Sequence, residues 1–91
     1  MRITLHSYLA EFIGAFFFLL CILASGGSAL IIGGALAFVI YMIASLSGGH
    51  VNPAVSFAMY MKGGLKPVEL MYYVVSQLLG AAAAVHVFGM L

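Results

Sequence analysis

The residues best placed to do chemistry lie together in Ser47-Gly48-Gly49-His50-Val51-Asn52-Pro53-Ala54-Val55-Ser56. Asn52 is a preferred helix N-cap, and Pro53 suits the first helical position because it needs no donor there. Ser47, Gly48 and Gly49 are small and leave the backbone before the cap uncovered. A helix that begins here presents unpaired N–H groups and the positive end of its dipole. The Asn52 side-chain amide can also donate a hydrogen bond to an oxygen placed before it. His50 is expected to pack in the loop and contribute its carbonyl rather than its ring. His6, His50 and His86 form no metal-ligand cluster by spacing, so no metal is expected. No nucleophile–base pair and no phosphate-binding loop appears, so neither an enzyme nor a cofactor is expected.

The elements that must hold this loop are membrane spans. Of 91 residues, 66% are hydrophobic and 5% are charged, whereas about 25% are charged in a typical soluble domain. The net charge of +1 leaves no basis for a nucleic-acid partner. The expected class is therefore an all-α membrane protein embedded in lipid. The apolar segments 5–25, 29–46 and 67–90 are each near the roughly 20 residues that cross a bilayer core. Gly26-Gly27-Ser28 is so short a turn that the first two spans must run antiparallel. Segment 52–62 is apolar but spans only about 16 Å as a helix, half the bilayer core, and reads as a re-entrant half-helix. Gly63-Gly64 supplies its C-cap, and Pro67 with Glu69 opens the last span. Irregular backbone at membrane depth is tolerated only where protein buries it or where it lines a watery cavity. The loop at Gly48 thus marks a pore or a substrate site.

Other features fit this frame. Arg2, Lys62 and Lys66 fall on one side of the spans, which predicts a cytoplasmic amino terminus in a multi-pass cell-membrane protein. Tyr8, Tyr60, Tyr72 and Tyr73 are expected near that interface as an aromatic belt. Ala10 with Gly14, Gly80 with Ala84, and the stripe Gly33-Gly34-Ala35 with Ala37 predict close helix packing. Cys21 reads as a small buried hydrophobe, and the amino-terminal segment is not expected to be cleaved, since no small-residue processing site follows it. Glu11 is expensive in a span unless it is paired or faces the bundle interior. Gln77 is expected to hydrogen-bond between helices.

At these residues the sequence resembles the aquaporin, or major intrinsic protein, family. The ten-residue loop is similar to the family's first NPA loop, Ala10-Glu11-Phe12-Ile13-Gly14 to its first-helix signature, and Gln77-Leu78-Leu79-Gly80-Ala81 to its third-helix signature. Ala15 stands where the family often has Thr. The resemblance implies one half of an inverted-repeat fold: residues 1–91 as a single amino-terminal repeat with three spans and one half-helix. It implies a passive channel for water or a small neutral solute such as glycerol. Asn52, Pro53 and Ala54 would form the NPA constriction, and the carbonyls of Gly48, Gly49 and His50 would line one wall. Glu11 would accept hydrogen bonds from the loop backbone near His50. Counting back from Asn52 by the family spacing places Ile32 at the narrow selectivity region, where full-length members often carry an aromatic residue.

The family fold needs a second repeat with its own half-helix and an arginine, and Leu91 falls near the repeat boundary. The expectation is a fragment, or half of a split channel, partnered by a complementary second-repeat segment and assembled, by resemblance, as a homotetramer. The one-sided Lys and Arg distribution opposes a dual-topology homodimer. The alternative is a non-conducting half-channel that binds and modulates full-length channels. A half-transporter is a further one, though the half-helix start carries no charge to couple an ion.

Overall fold

Local signals set each helix end. The computed structural model describes every residue, Met1–Leu91, and contains helices α1 (Leu5–Ala24), α2 (Ala29–Ser47), α3 (Pro53–Met61) and α4 (Pro67–Phe88). At the start of α1 the Thr4 N–H donates to Ser7 Oγ (3.0 Å) and the Ser7 N–H to the Thr4 carbonyl (2.9 Å). Ser28 caps α2 by accepting from the Ile31 N–H at 3.3 Å. Asn52 caps α3, and Glu69 reaches back to the Lys66 N–H at 2.8 Å to fasten α4. The turn between α1 and α2 is possible because Gly26 and Gly27 adopt φ of +65° and +85°, which cost a side-chain-bearing residue more. Helices α1, α2 and α4 are each long and apolar enough to cross a membrane; α3, with 9 residues, is not.

Helix α1 is the centre of the arrangement, with α4 along one side and α2 along another, while α3 rests on α4. Ser7 meets Leu46 and, further along α1, Phe17 meets the earlier residue Phe38 of α2, so these helices are antiparallel. Tyr8 meets Tyr73 and Glu11 meets Gln77, so α1 and α4 run parallel. Their closest approach is at Gly80, where an added Cβ would lie 2.5 Å from the Phe12 carbonyl oxygen and 3.0 Å from the Phe16 nitrogen. Gly14 serves α1–α2 in the same way, facing Val39, Ile43 and Val51. Ala10, Val39, Ile43 and Val51 form the apolar core.

Two expectations are corrected. Gly33 and Gly34 have nothing within 4 Å of a built Cβ, so the glycine part of this stripe packs against no other part of the chain. Helix α2 turns it outward, as it does Leu30, Phe38, Tyr41 and Met42. Tyr73 is not part of an interfacial belt. It is 0% exposed, because the parallel fit of α4 on α1 turns it inward. Large apolar side chains cover the outside of the molecule, while Ser7, Glu11, Ser47, His50, Ser56 and Gln77 are buried. This inversion of a soluble protein is stable only in lipid.

Candidate functional site

The site is the passage from α2 to α3, and left-handed backbone shapes it. Gly48 ends α2 with φ +90°, its N–H still bonded to the Ala44 carbonyl at 2.9 Å. Gly49 follows with φ +68° and lies so near α2 that a Cβ would sit 3.2 Å from Ile40 Cα. Val51 has φ +45°, a costly conformation for a β-branched residue that persists only where the surroundings over-determine it. Here they do. The Val51 N–H is bonded to Glu11, and its side chain is locked into the core against Gly14, midway along α1. The loop thus descends to half the depth of a 20-residue span before α3 turns back.

One carboxylate holds that descent. Glu11, 0% exposed, accepts from the His50 N–H (3.0 Å) and Ser47 Oγ (2.6 Å) at Oε2, and from the Val51 N–H and Gln77 Nε2 (both 2.8 Å) at Oε1. These donors come from α2, the loop and α4, so a single side chain ties three parts of the chain to α1. Ser47 Oγ also accepts from the Gly49 N–H at 3.1 Å. With the N–H groups of residues 49–51 all turned inward, the carbonyls of Gly48, Gly49 and His50 are left without partners in the chain.

A second layer braces the first. Gln77 Nε2 donates to Ser56 Oγ (2.8 Å), and Ser56 lies 2.9 Å from His50 Nδ1. Ser56 Oγ has one proton and two lone pairs, so with Gln77 donating to it the direction of the Ser56–Nδ1 bond is set by the tautomer of the ring. The His50 ring lies 4.9 Å from that of Tyr73, centroid to centroid. Tyr73 donates to the Ser47 carbonyl (2.7 Å) and Ser7 to the Leu46 carbonyl (2.6 Å), so both helices flanking the end of α2 cap its orphan carbonyls. Gln77 Oε1 is the one buried side-chain polar atom without a partner.

Asn52 is placed differently from its neighbours: it is exposed. Its Oδ1 accepts from the Ala54 N–H at 2.8 Å, and its carbonyl from the Ser56 N–H at 3.1 Å. The cap therefore fixes the oxygen of the side chain and leaves the NH2 group outward, a donor with no competing acceptor. Pro53 stands at the first position of α3, and Ala54 is exposed beside it. Ile32 is not brought near. It lies in the first turn of α2, about 22 Å along the helix from Ser47.

Ser7 and Tyr73 entered no sequence argument as site residues, and Ser47 and Ser56 entered only as members of the ten-residue loop. A signal existed: Ser7 and Glu11, like Tyr73 and Gln77, are four apart, which puts a polar pair on one face of an apolar helix. Ser56 hides because a hydroxyl within an apolar half-helix reads as ordinary.

The family model described as Major intrinsic protein matches residues 2–91. The chain is 50% identical over 56 residues to human (Homo sapiens) Aquaporin-9, an alignment covering 60% of this chain and 19% of that protein. It is 42% identical over 55 residues to Aquaporin PIP1-1 of Arabidopsis thaliana, covering 60% and 19%. It is 42% identical over 66 residues to Aquaporin PIP1-6 of Zea mays, covering 69% and 22%. The chain thus spans about a fifth of the length of the curated relatives it matches. With a match along nearly its whole length and three apolar spans around a re-entrant helix, this integral membrane protein belongs to the major intrinsic protein family.

Proposed function

We propose that this chain builds one half of a passive pore for water or a small neutral solute such as glycerol. The observation that carries the reading is the outward NH2 group of Asn52 at mid-depth, beside the unpaired carbonyls of Gly48, Gly49 and His50. Donor and acceptors set side by side replace part of a solute's hydration, so transit is cheap and no single contact traps the molecule. The α3 dipole adds positive potential at its first turn, which opposes cations and a proton relay. Glu11, Gln77, Ser47 and Tyr73 act as loop supports and touch no solute. Pro53 and Ala54 hold the start of α3 and face a complementary second repeat, contributed by this polypeptide or by another. Ile32 contributes to a selectivity region away from Asn52. The amino terminus lies in the cytoplasm with Arg2, Lys62 and Lys66, and complete pores assemble as tetramers.

The test is osmotic shrinkage of proteoliposomes in a stopped-flow instrument, with the chain reconstituted together with a second repeat carrying the matching loop. Asn52→Ala is expected to slow water flux about fivefold, the factor carried by about 1 kcal/mol for one hydrogen bond. Unchanged flux in that variant would remove Asn52 from the pathway. Co-purification with a full-length channel, without flux of its own in any reconstitution, would move the chain to a modulating half-channel.

A further inference from the structure

A groove on the outer surface of the α1–α4 pair has the chemistry of a lipid site. Two hollows of about 330 and 370 Å³ share Leu5, Tyr8 and Ser76, forming one channel between the helices. Tyr72 and Val75 line its upper part, and Phe12 and Leu79 its lower part. It runs along the helix axes for about 10 Å, from Leu5 to Phe12, the direction in which an acyl chain lies. The walls are apolar apart from Ser76 and two tyrosines. Tyr8 and Tyr72 form an edge-to-face pair with centroids 5.2 Å apart. Their hydroxyls, unlike that of Tyr73, have no partner in the chain.

The end of the groove is basic. Because α1 and α4 run parallel, both amino-terminal ends lie at the Leu5 end. Two positive dipole ends therefore point the same way there. Arg2 lies just before α1, and Lys66 is the N-cap of α4. The acidic residue at this end, Glu69, is turned to the Lys66 N–H at 2.8 Å. An apolar slot walled by two free hydroxyls, with Arg2 three residues before Leu5 and Lys66 six before Tyr72 at its helix-start end, matches an acyl chain, its ester oxygens and a negatively charged phosphate.

We propose that the α1–α4 groove binds an anionic phospholipid from the leaflet on the Arg2 side, with one acyl chain between Tyr8 and Ser76 and the phosphate at Arg2 and Lys66. The charge complementarity selects this occupant over a zwitterionic lipid, whose own cation offsets its phosphate.

Native mass spectrometry of the purified full chain, titrated in detergent with phosphatidylglycerol or chain-matched phosphatidylcholine, tests this. Phosphatidylglycerol is expected to bind about 30-fold more tightly, the factor two basic residues contribute at a membrane surface. Arg2→Gln with Lys66→Gln is expected to abolish that preference and keep the residual binding. Ser76→Phe fills the shared wall and is expected to weaken both lipids about fifteenfold, the effect of losing two buried methylenes. Ser76→Leu repeats the test if the larger variant is not recovered. Equal affinity for the two lipids overturns the proposal, as does binding indifferent to residue 76. A change in subunit number at residue 76, with lipid binding unchanged, also overturns it and assigns the groove to another protein chain.

Discussion

Glu11 shows how much one side chain can carry when water is excluded. Of its four donors, the His50 and Val51 N–H groups have no other acceptor, so removing the carboxylate strands them, while Ser47 keeps the Ile43 carbonyl and Gln77 keeps Ser56. Glu11→Ala is expected to lower stability by about 2–6 kcal/mol, since each of the two stranded N–H groups costs about 1–3 kcal/mol. Glu11→Gln keeps one acceptor oxygen and is expected to lose about half as much; a thermal unfolding assay in detergent in which both lose equally would contradict the bracing role. Val51 poses a contest between two terms. Val51→Gly relieves φ +45°, worth about 1–2 kcal/mol. It also empties a core site whose side chain contributes about 1.5–3 kcal/mol, with a cavity term in addition. The packing loss is larger, so the glycine variant is expected to melt lower, and a higher midpoint would mean that strain dominates. The Asn52 cap was legible in the sequence because capping is local. The loop partners of Glu11 near His50 entered only through the family resemblance, and Ser47 and Gln77 as its donors not at all, because these groups stand 36 to 66 residues away and only the fold brings them in.

Among the helices, glycine has two opposite meanings. At Gly80 an added methyl meets the Phe12 carbonyl at 2.5 Å, and backbone cannot move aside as a side-chain tip can. At Gly33 it meets nothing. Gly80→Ala is expected to separate α1 from α4, weaken the Glu11–Gln77 bond and lower the melting point clearly. Gly33→Ala is expected to be neutral or to raise stability by up to about 1 kcal/mol through helix propensity. Equal destabilisation by both would show that α2 packs its glycine stripe within the folded chain. Sequence spacing identified small residues in both places but could not tell a contact from an open face, because that depends on which neighbour each stripe meets. The all-helical class, by contrast, was legible, since apolar length and the signals at Ser28, Asn52 and Pro67 are properties of short segments.

At the scale of the whole molecule, the placement of charge predicts a single orientation. Arg2 precedes α1, while Lys62 and Lys66 lie between α3 and α4, at the ends that the parallel α1–α4 pair brings together. In a Cys21→Ala background, Lys62→Cys is expected to react with an impermeant maleimide from the amino-terminal side of the membrane, and Ser25→Cys from the opposite side. Mixed labelling of each site would show that the chain inserts both ways.

The long reach of Gln77 to Glu11 also sets a timetable for biogenesis. Ribosomes add about 5–20 residues each second, so the 66 residues between these partners separate their emergence by about 3–13 s. The first hairpin therefore enters the bilayer carrying a carboxylate with one donor, Ser47, on its own second helix, while those of His50, Val51 and Gln77 are still unmade or undelivered. Its two helices do not finish folding as a unit. They wait, with their most expensive group only partly covered, for a helix that the cell has yet to translate.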